Sequence, residues 1–242
     1  MFIDVNGEGP GDKDNGTGNL IIYLLDKAQK FDESAIPDDW DYVTVNSLTE
    51  ASDWLDNSSY GSGDLKIDNL VVRTHGIPDT YESSGGGAAI ADQDGYALTA
   101  GRMDNPNDYK GNPKKYRKMT KALKNFGNHM ADDGQALFYA CDFGKDVKAS
   151  QKLFNVLGGG NKTLYTNADH SSSGKSGNNG FQLKFNQGIT SSKRMNQGWT
   201  VTNSSVGNVN SYRLIGNMQL SSSGNIKKIN SLRILLPITD KK

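Results

Sequence analysis

The chain has 242 residues, enough for one large domain or two small ones with a buried core. Its 27 basic and 27 acidic residues cancel, which argues against a whole-molecule field built for nucleic acid or an anionic membrane, and its single cysteine excludes an intrachain disulfide. With hydrophobic residues at only 35% and 28 glycines, long polar loops around a modest core are expected.

Residues 1–18 are rich in Gly, Asp and Asn and show no period, so they are expected to form a flexible arm or linker ahead of one domain over 19–242. The first residues lack the basic start and apolar run of a secretory signal, and no apolar stretch approaches the roughly 20 residues that a membrane helix needs. A soluble protein made in the cytoplasm is expected, with no membrane partner. The apolar run 19–25 reads as a strand covered on both faces, 42–45 as a second strand, and Leu48, Ala51, Trp54 and Leu55 as one face of a helix.

The run 69–74 predicts a third strand that ends directly at His75-Gly76-Ile77-Pro78, where glycine and proline stop regular structure. A loop-rich stretch follows to 111, with a small hairpin centred on Asp94-Gly95, and Gly85-Gly86-Gly87 lacks the Lys-Ser/Thr ending of a phosphate loop. Asn112 caps a helix with Pro113 at its first position. Tyr116, Met119, Leu123, Phe126 and Met130 repeat at helical period until Asp133-Gly134, and the lysines of the other face read as a solvated surface.

The run 136–140 predicts a fourth buried strand ending at Cys141-Asp142-Phe143-Gly144, followed by a helix over 146–157 that Gly158-Gly159-Gly160 terminates, and a fifth strand at 163–166. Strands alternating with helices predict an α/β fold with a mainly parallel central sheet whose ligand sites lie at the carboxyl ends of the strands. After 167 the chain turns Ser-, Gly- and Asn-rich, and the short runs 181–185, 199–202, 212–220 and 232–236 read as β-hairpins and edge strands. The domain thus divides into an α/β core over 19–168 and β-rich loops and edge strands over 169–242.

His75 and Cys141 each stand at the end of a predicted strand of one sheet, where strand ends share a rim. A thiol attacks as thiolate, and an imidazole within hydrogen-bond reach takes its proton; histidine's ordinary pKa of about 6.5 suits that exchange near neutral pH. The amides of Gly76 and Cys141 are candidates for the oxyanion hole. A lone cysteine is often a small buried hydrophobe and a lone histidine often structural, but polar loops after both strand ends favour chemistry for the pair. His75, His129, His170 and Cys141 show no metal-ligand spacing, so neither metal nor cofactor is expected.

Leu70-Val71-Val72-Arg73-Thr74-His75-Gly76, the later Leu137-Phe138-Tyr139-Ala140-Cys141 and the helix after it resemble the caspase-like cysteine peptidases: caspases, metacaspases, clostripain, gingipains, separase and CHAT-domain proteases. The resemblance covers about residues 19–168. It implies a caspase-like three-layer sandwich and a His–Cys dyad, with Gly76 and Cys141 amides as oxyanion hole and a protein or peptide substrate. Members of that clan that cleave after Arg or Lys often carry an acidic residue at the floor of the first pocket, and Asp169 and Asp142 are the candidates here. The residues Phe2-Ile3-Asp4-Val5-Asn6-Gly7 loosely resemble the Asp-x-Asp/Asn-Gly end of Rhs-repeat cores, which implies an exported or delivered effector or toxin domain. Two readings compete with the endopeptidase: a non-catalytic module that recognises a partner through its Ser/Asn/Gly-rich third, and an acyl- or glycosyl-transferring toxin using the same thiol.

Overall fold

The computed structural model describes residues 11–24, 36, 38–77, 89–91, 96–105, 107, 112–140, 142–168, 198–205, 207–221 and 225–234. The apolar runs become parallel strands: β2 (Asn19–Leu24), β3 (Asp41–Val45), β4 (Ile67–Arg73), β8 (Met130–Tyr139) and β9 (Thr163–Asn167). They lie in the order β3-β2-β4-β8-β9, so the direction of travel across the sheet reverses once, between β2 and β4. On the β3 side the sheet is edged by the two-residue β1 (Asp12–Lys13), antiparallel to β3. On the β9 side it continues through three antiparallel strands, β10 (Gly198–Ser205), β11 (Asn208–Ser221) and β12 (Asn225–Ile234). The molecule is therefore mixed α/β, and its main sheet has nine strands among the described residues.

Alternate residues of each strand feed opposite faces. On one face Leu20, Ile22, Val43, Val45, Leu70, Val72, Ala136 and Phe138 form a single core with the helices α1 (Leu48–Asn57), α2 (Ala100–Asp104), α3 (Pro113–His129) and α4 (Val147–Val156). The links from β3 to β4, β4 to β8 and β8 to β9 all step the same way across the sheet, and right-handed crossovers then put their helices on the same side. The step from β2 to β3 runs the other way, so that link belongs to the opposite face. Its described residues Ile36 and Trp40 pack there, with Ile21, Val71, Leu137, Tyr165, Trp199, Val201 and Leu214.

Each helix starts where its sequence supplies a cap. Ser47 accepts from the Glu50 amide, Asn112 from Lys115 with Pro113 at the first turn, and Asp146 from Ala149. The α3 helix stops at His129, earlier than the predicted Asp133-Gly134, because from Met130 the chain pairs with β4. Residues between Met130 and Gln135 make up a register irregularity in that pairing, which is where Asp132, Asp133 and Gly134 sit. A Cβ on Gly127 would collide with the backbone of Leu157, so this glycine sets how closely α3 approaches the end of α4.

The expected arm over 1–18 is corrected from residue 11 onward. Beyond the β1 pairing, the amides of Asn15 and Thr17 both donate to the fully buried Asp41 carboxylate at 2.9 Å, and Tyr60 Oη donates to the same group at 2.6 Å. Asp14 accepts from Ser59, and Trp54 Nε1 donates to Asp12 at 2.9 Å. Polar residues without period hold this segment to the sheet by hydrogen bonds, a mode that periodicity does not register. Residues 1–10, the Phe2–Gly7 motif among them, lie outside the described residues. The β-hairpins and edge strands expected after 169 appear as β10, β11 and β12, antiparallel neighbours longer than the runs that predict them, which widen the sheet, while the run 181–185 lies outside the described residues.

Candidate active site

The β4 and β8 strands are parallel neighbours, with Arg73 opposite Tyr139. The pairing runs one step further, since the Thr74 amide donates to the Tyr139 carbonyl at 3.2 Å. The described pairing therefore ends at Thr74, the residue before His75, and Tyr139, two residues before Cys141. In sequence both candidates stand two residues past the matched pair Arg73 and Tyr139, whose neighbouring strands lie about 4.8 Å apart in a sheet. This is the carboxyl rim, one strand along from the β2/β4 reversal where open α/β sheets bind ligands.

His75 does not end a strand in a free turn as expected. It opens β5 (His75–Ile77), which with β6 (Ala89–Ala91) and β7 (Ala97–Thr99) makes a separate three-stranded antiparallel sheet above the rim. His75 pairs with Ala91 and Gly76 with Ile90, so Gly76 continues as strand and does not turn. Thr74 anchors the transition by donating its hydroxyl to the Ala91 carbonyl at 2.6 Å. Ala91 also pairs with Ala97 in the antiparallel β6–β7 ladder, while Asp94 and Gly95, where a hairpin turn is expected, lie outside the described residues. The His75 side chain is exposed, although the four residues before it are buried. Arg73 is one of those four, its guanidinium 4.5 Å from the centre of the Tyr23 ring.

Cys141 and Asp169 lie outside the described residues; what flanks Cys141 is well defined. Ala140 is fully buried, and Asp142 has φ +59°, the one positive φ away from glycine among the described residues. Asp142 was expected as a loop carboxylate open to substrate or water. It is instead 3% exposed, and Lys145 Nζ lies 2.5 Å from its Oδ1. A short 3-10 turn, Phe143–Lys145, carries the chain to the cap of α4. The Gly144 carbonyl accepts from Thr200 Oγ1 at 2.5 Å and from Arg213 Nη1 at 3.1 Å.

Thr200 and Arg213 belong to β10 and β11, and sequence reasoning missed both. A threonine in a β-rich run reads as ordinary strand propensity, and nothing in sequence links it to a carbonyl so far away along the chain. Gly144 carried the one available signal, since a Cβ there would strike the backbone of Thr166 and Asn167.

The other described histidine, His129, sits before the first residue of β8 and hence at the opposite rim. Its Nδ1 lies 3.1 Å from the Tyr60 carbonyl and its Nε2 3.0 Å from Asp56 Oδ1. The carboxyl of Asp56 is held below its ordinary value of 3.8 first by the hydrogen bond from Asn125 and then by the one with His129. This cluster ties α1 to α3 and is remote from His75. A cleft of about 230 Å³ lined by Phe154, Gly158, Gly159, Gly160, Ser204 and Val209 also lies away from the rim, at the amino end of β9. Among the described residues no three His, Cys, Asp or Glu side chains are gathered to hold a metal ion. Comparisons of the chain with family models, with curated proteins and with solved structures return no match.

Proposed function

We propose that the chain is a cysteine endopeptidase with Cys141 as nucleophile and His75 as general base, on a caspase-like sandwich. The observation that supports this reading is the β4–β8 pairing, in which Arg73 lies opposite Tyr139, each two residues before a candidate residue in sequence. His75 takes the thiol proton, and the thiolate attacks the scissile carbonyl carbon. The oxyanion is received by the amides of Gly76 and Cys141. Collapse of that intermediate expels the amine, which takes the proton back from His75, and leaves a thioester. Water, deprotonated by His75, hydrolyses the thioester and frees the enzyme.

For cleavage after Arg or Lys, Asp169 is the favoured pocket carboxylate, because the Asp142 charge is already met by Lys145. The Phe2–Gly7 resemblance supports delivery as an effector domain acting on proteins of a target cell. A binding module built on the C-terminal third is less well supported, since Trp199, Val201 and Leu214 of that third are core residues.

Cys141→Ala and His75→Ala are expected to keep the fold and to lose cleavage of a denatured protein substrate by about 10³-fold or more, the scale of removing a member of such a unit. Gel-based cleavage assays on unfolded casein read this. Cleavage by Cys141→Ala at the wild-type rate would end the peptidase reading.

A further inference from the structure

The turn behind Cys141 is secured by residues that come from the far end of the chain. Asp142 leaves β8 in the left-handed region, the amides of Phe143 and Lys145 donate back to Ala140 and Asp142 at 3.2 and 3.0 Å, and Gly144 is wedged against β9. The Gly144 carbonyl then receives two donors, a buried hydroxyl and a guanidinium, which fills both lone pairs of one oxygen. Thr200 is fully buried. Its own carbonyl accepts from Thr166 Oγ1 at 3.3 Å, and Thr166 Oγ1 lies 2.8 Å from Ser150 Oγ on α4. The turn, α4, β9, β10 and β11 are thus locked through a few side chains.

We infer that Thr200 and Arg213 are positioning residues: by holding the Gly144 carbonyl they fix the turn that follows Cys141, and the reactivity of that thiol depends on the turn being held. This rests on the peptidase reading. A carbonyl held by one donor swings about that bond; held by two donors from different strands, it is fixed in direction. Misplacing a reacting group by about 1 Å costs on the order of 100-fold in rate, so a turn free to rock would cost reactivity without unfolding the molecule.

Cys141 is the only cysteine, so alkylation by iodoacetamide followed by intact mass reads that sulfur alone. The second-order rate is measured from about pH 5 to about pH 10 across the ordinary thiol range. Wild type is compared with Thr200→Val, Thr200→Ser, Arg213→Met, His75→Ala and Thr202→Val. Thr202 is equally buried on the same strand but its hydroxyl meets Ser211 at 3.0 Å, which makes it the packing control.

Thr200→Val and Arg213→Met are expected to slow alkylation at neutral pH about tenfold and to move its midpoint toward that of a free thiol, about 8.5. Thr200→Ser and Thr202→Val should stay within about twofold of wild type, the hydroxyl being kept in one and irrelevant in the other. Wild-type rates and midpoints in both folded Thr200→Val and Arg213→Met would overturn the positioning role and leave the dyad standing. Equal slowing by Thr202→Val would overturn it as well, by exposing a general loosening. If Thr200→Val does not fold, the partly exposed Arg213→Met decides. A wild-type rate no higher than that of His75→Ala would overturn dyad and positioning role together.

Discussion

Asp142 bears two costs at once. Its φ of +59° is a conformation that a side-chain-bearing residue enters at a penalty of about 1 kcal/mol, and its carboxyl is almost wholly removed from water. Lys145, three residues on and itself more than half exposed, supplies the compensating charge at 2.5 Å. Lys145→Met removes the cation and leaves the carboxylate in place, so it should lower stability by about 1–3 kcal/mol, as for a buried charge deprived of its partner at a partly solvated site. Urea unfolding measures this. A midpoint equal to wild type would mean that the pair contributes nothing to the turn. A second buried carboxylate, Asp41, is secured differently, by two amides and the Tyr60 hydroxyl. Burial and that hydrogen bond push the Tyr60 phenol far above its ordinary value, so it remains a donor at any pH the folded chain meets.

Between elements, the Asp56–His129–Asn125 cluster clamps α1 to α3 and gives the fold an acid limb. Because the folded carboxyl titrates below 3.8, its contribution is fully present above that value and is lost as pH falls through the folded one. Asp56→Asn is therefore expected to be less stable than wild type at pH 7 by about 0.5 kcal/mol, the scale of a half-exposed pair. The gap should begin to narrow only below 3.8 and close once the folded carboxyl is protonated. Parallel pH–stability curves for the two proteins would remove the clamp from the account of acid stability.

The parallel strands, the cap of α3 and the span of α4 were legible in sequence because continuous apolar runs, Asn before a periodic segment, and glycines after one each have one local cause. The strand β1 was not, since Asp12 and Lys13 are two polar residues held by a neighbour's backbone. The true end of α3 was hidden because Met130 continues the helical period while pairing with β4 begins there. Of the site, the ends of β4 and β8 ahead of His75 and Cys141 could be read, but the pairing of His75 in β5 could not, and the clamp on Gly144 joins residues remote in sequence and has no local signature.

At the scale of the molecule, the C-terminal strands are structural members of the α/β core. The β10 strand pairs with β9 along five residues, and Trp199 and Val201 lie fully buried in the second core beside Leu137 and Tyr165. A chain ending at Ala168 would strip that face and leave β9 as an open edge. It is expected to aggregate or to lose a cooperative urea transition, read by circular dichroism and sedimentation. A monomeric fragment with a sharp transition would show the 1–168 segment to be self-sufficient.

The sheet also mixes two kinds of neighbour. Asn19 faces Asn69 and Leu70 faces Ala136, so the parallel half forms only after long loops have closed, whereas Ser205 and Asn208 meet across a tight turn. Hairpins zip in about 1–10 μs, and topologies dominated by distant pairings take milliseconds to seconds. Refolding from urea is therefore expected to run on two clocks, the last three strands closing early and waiting, with one flank bare, for the slower half to cover it; a single phase in stopped-flow circular dichroism would show that the two halves form together.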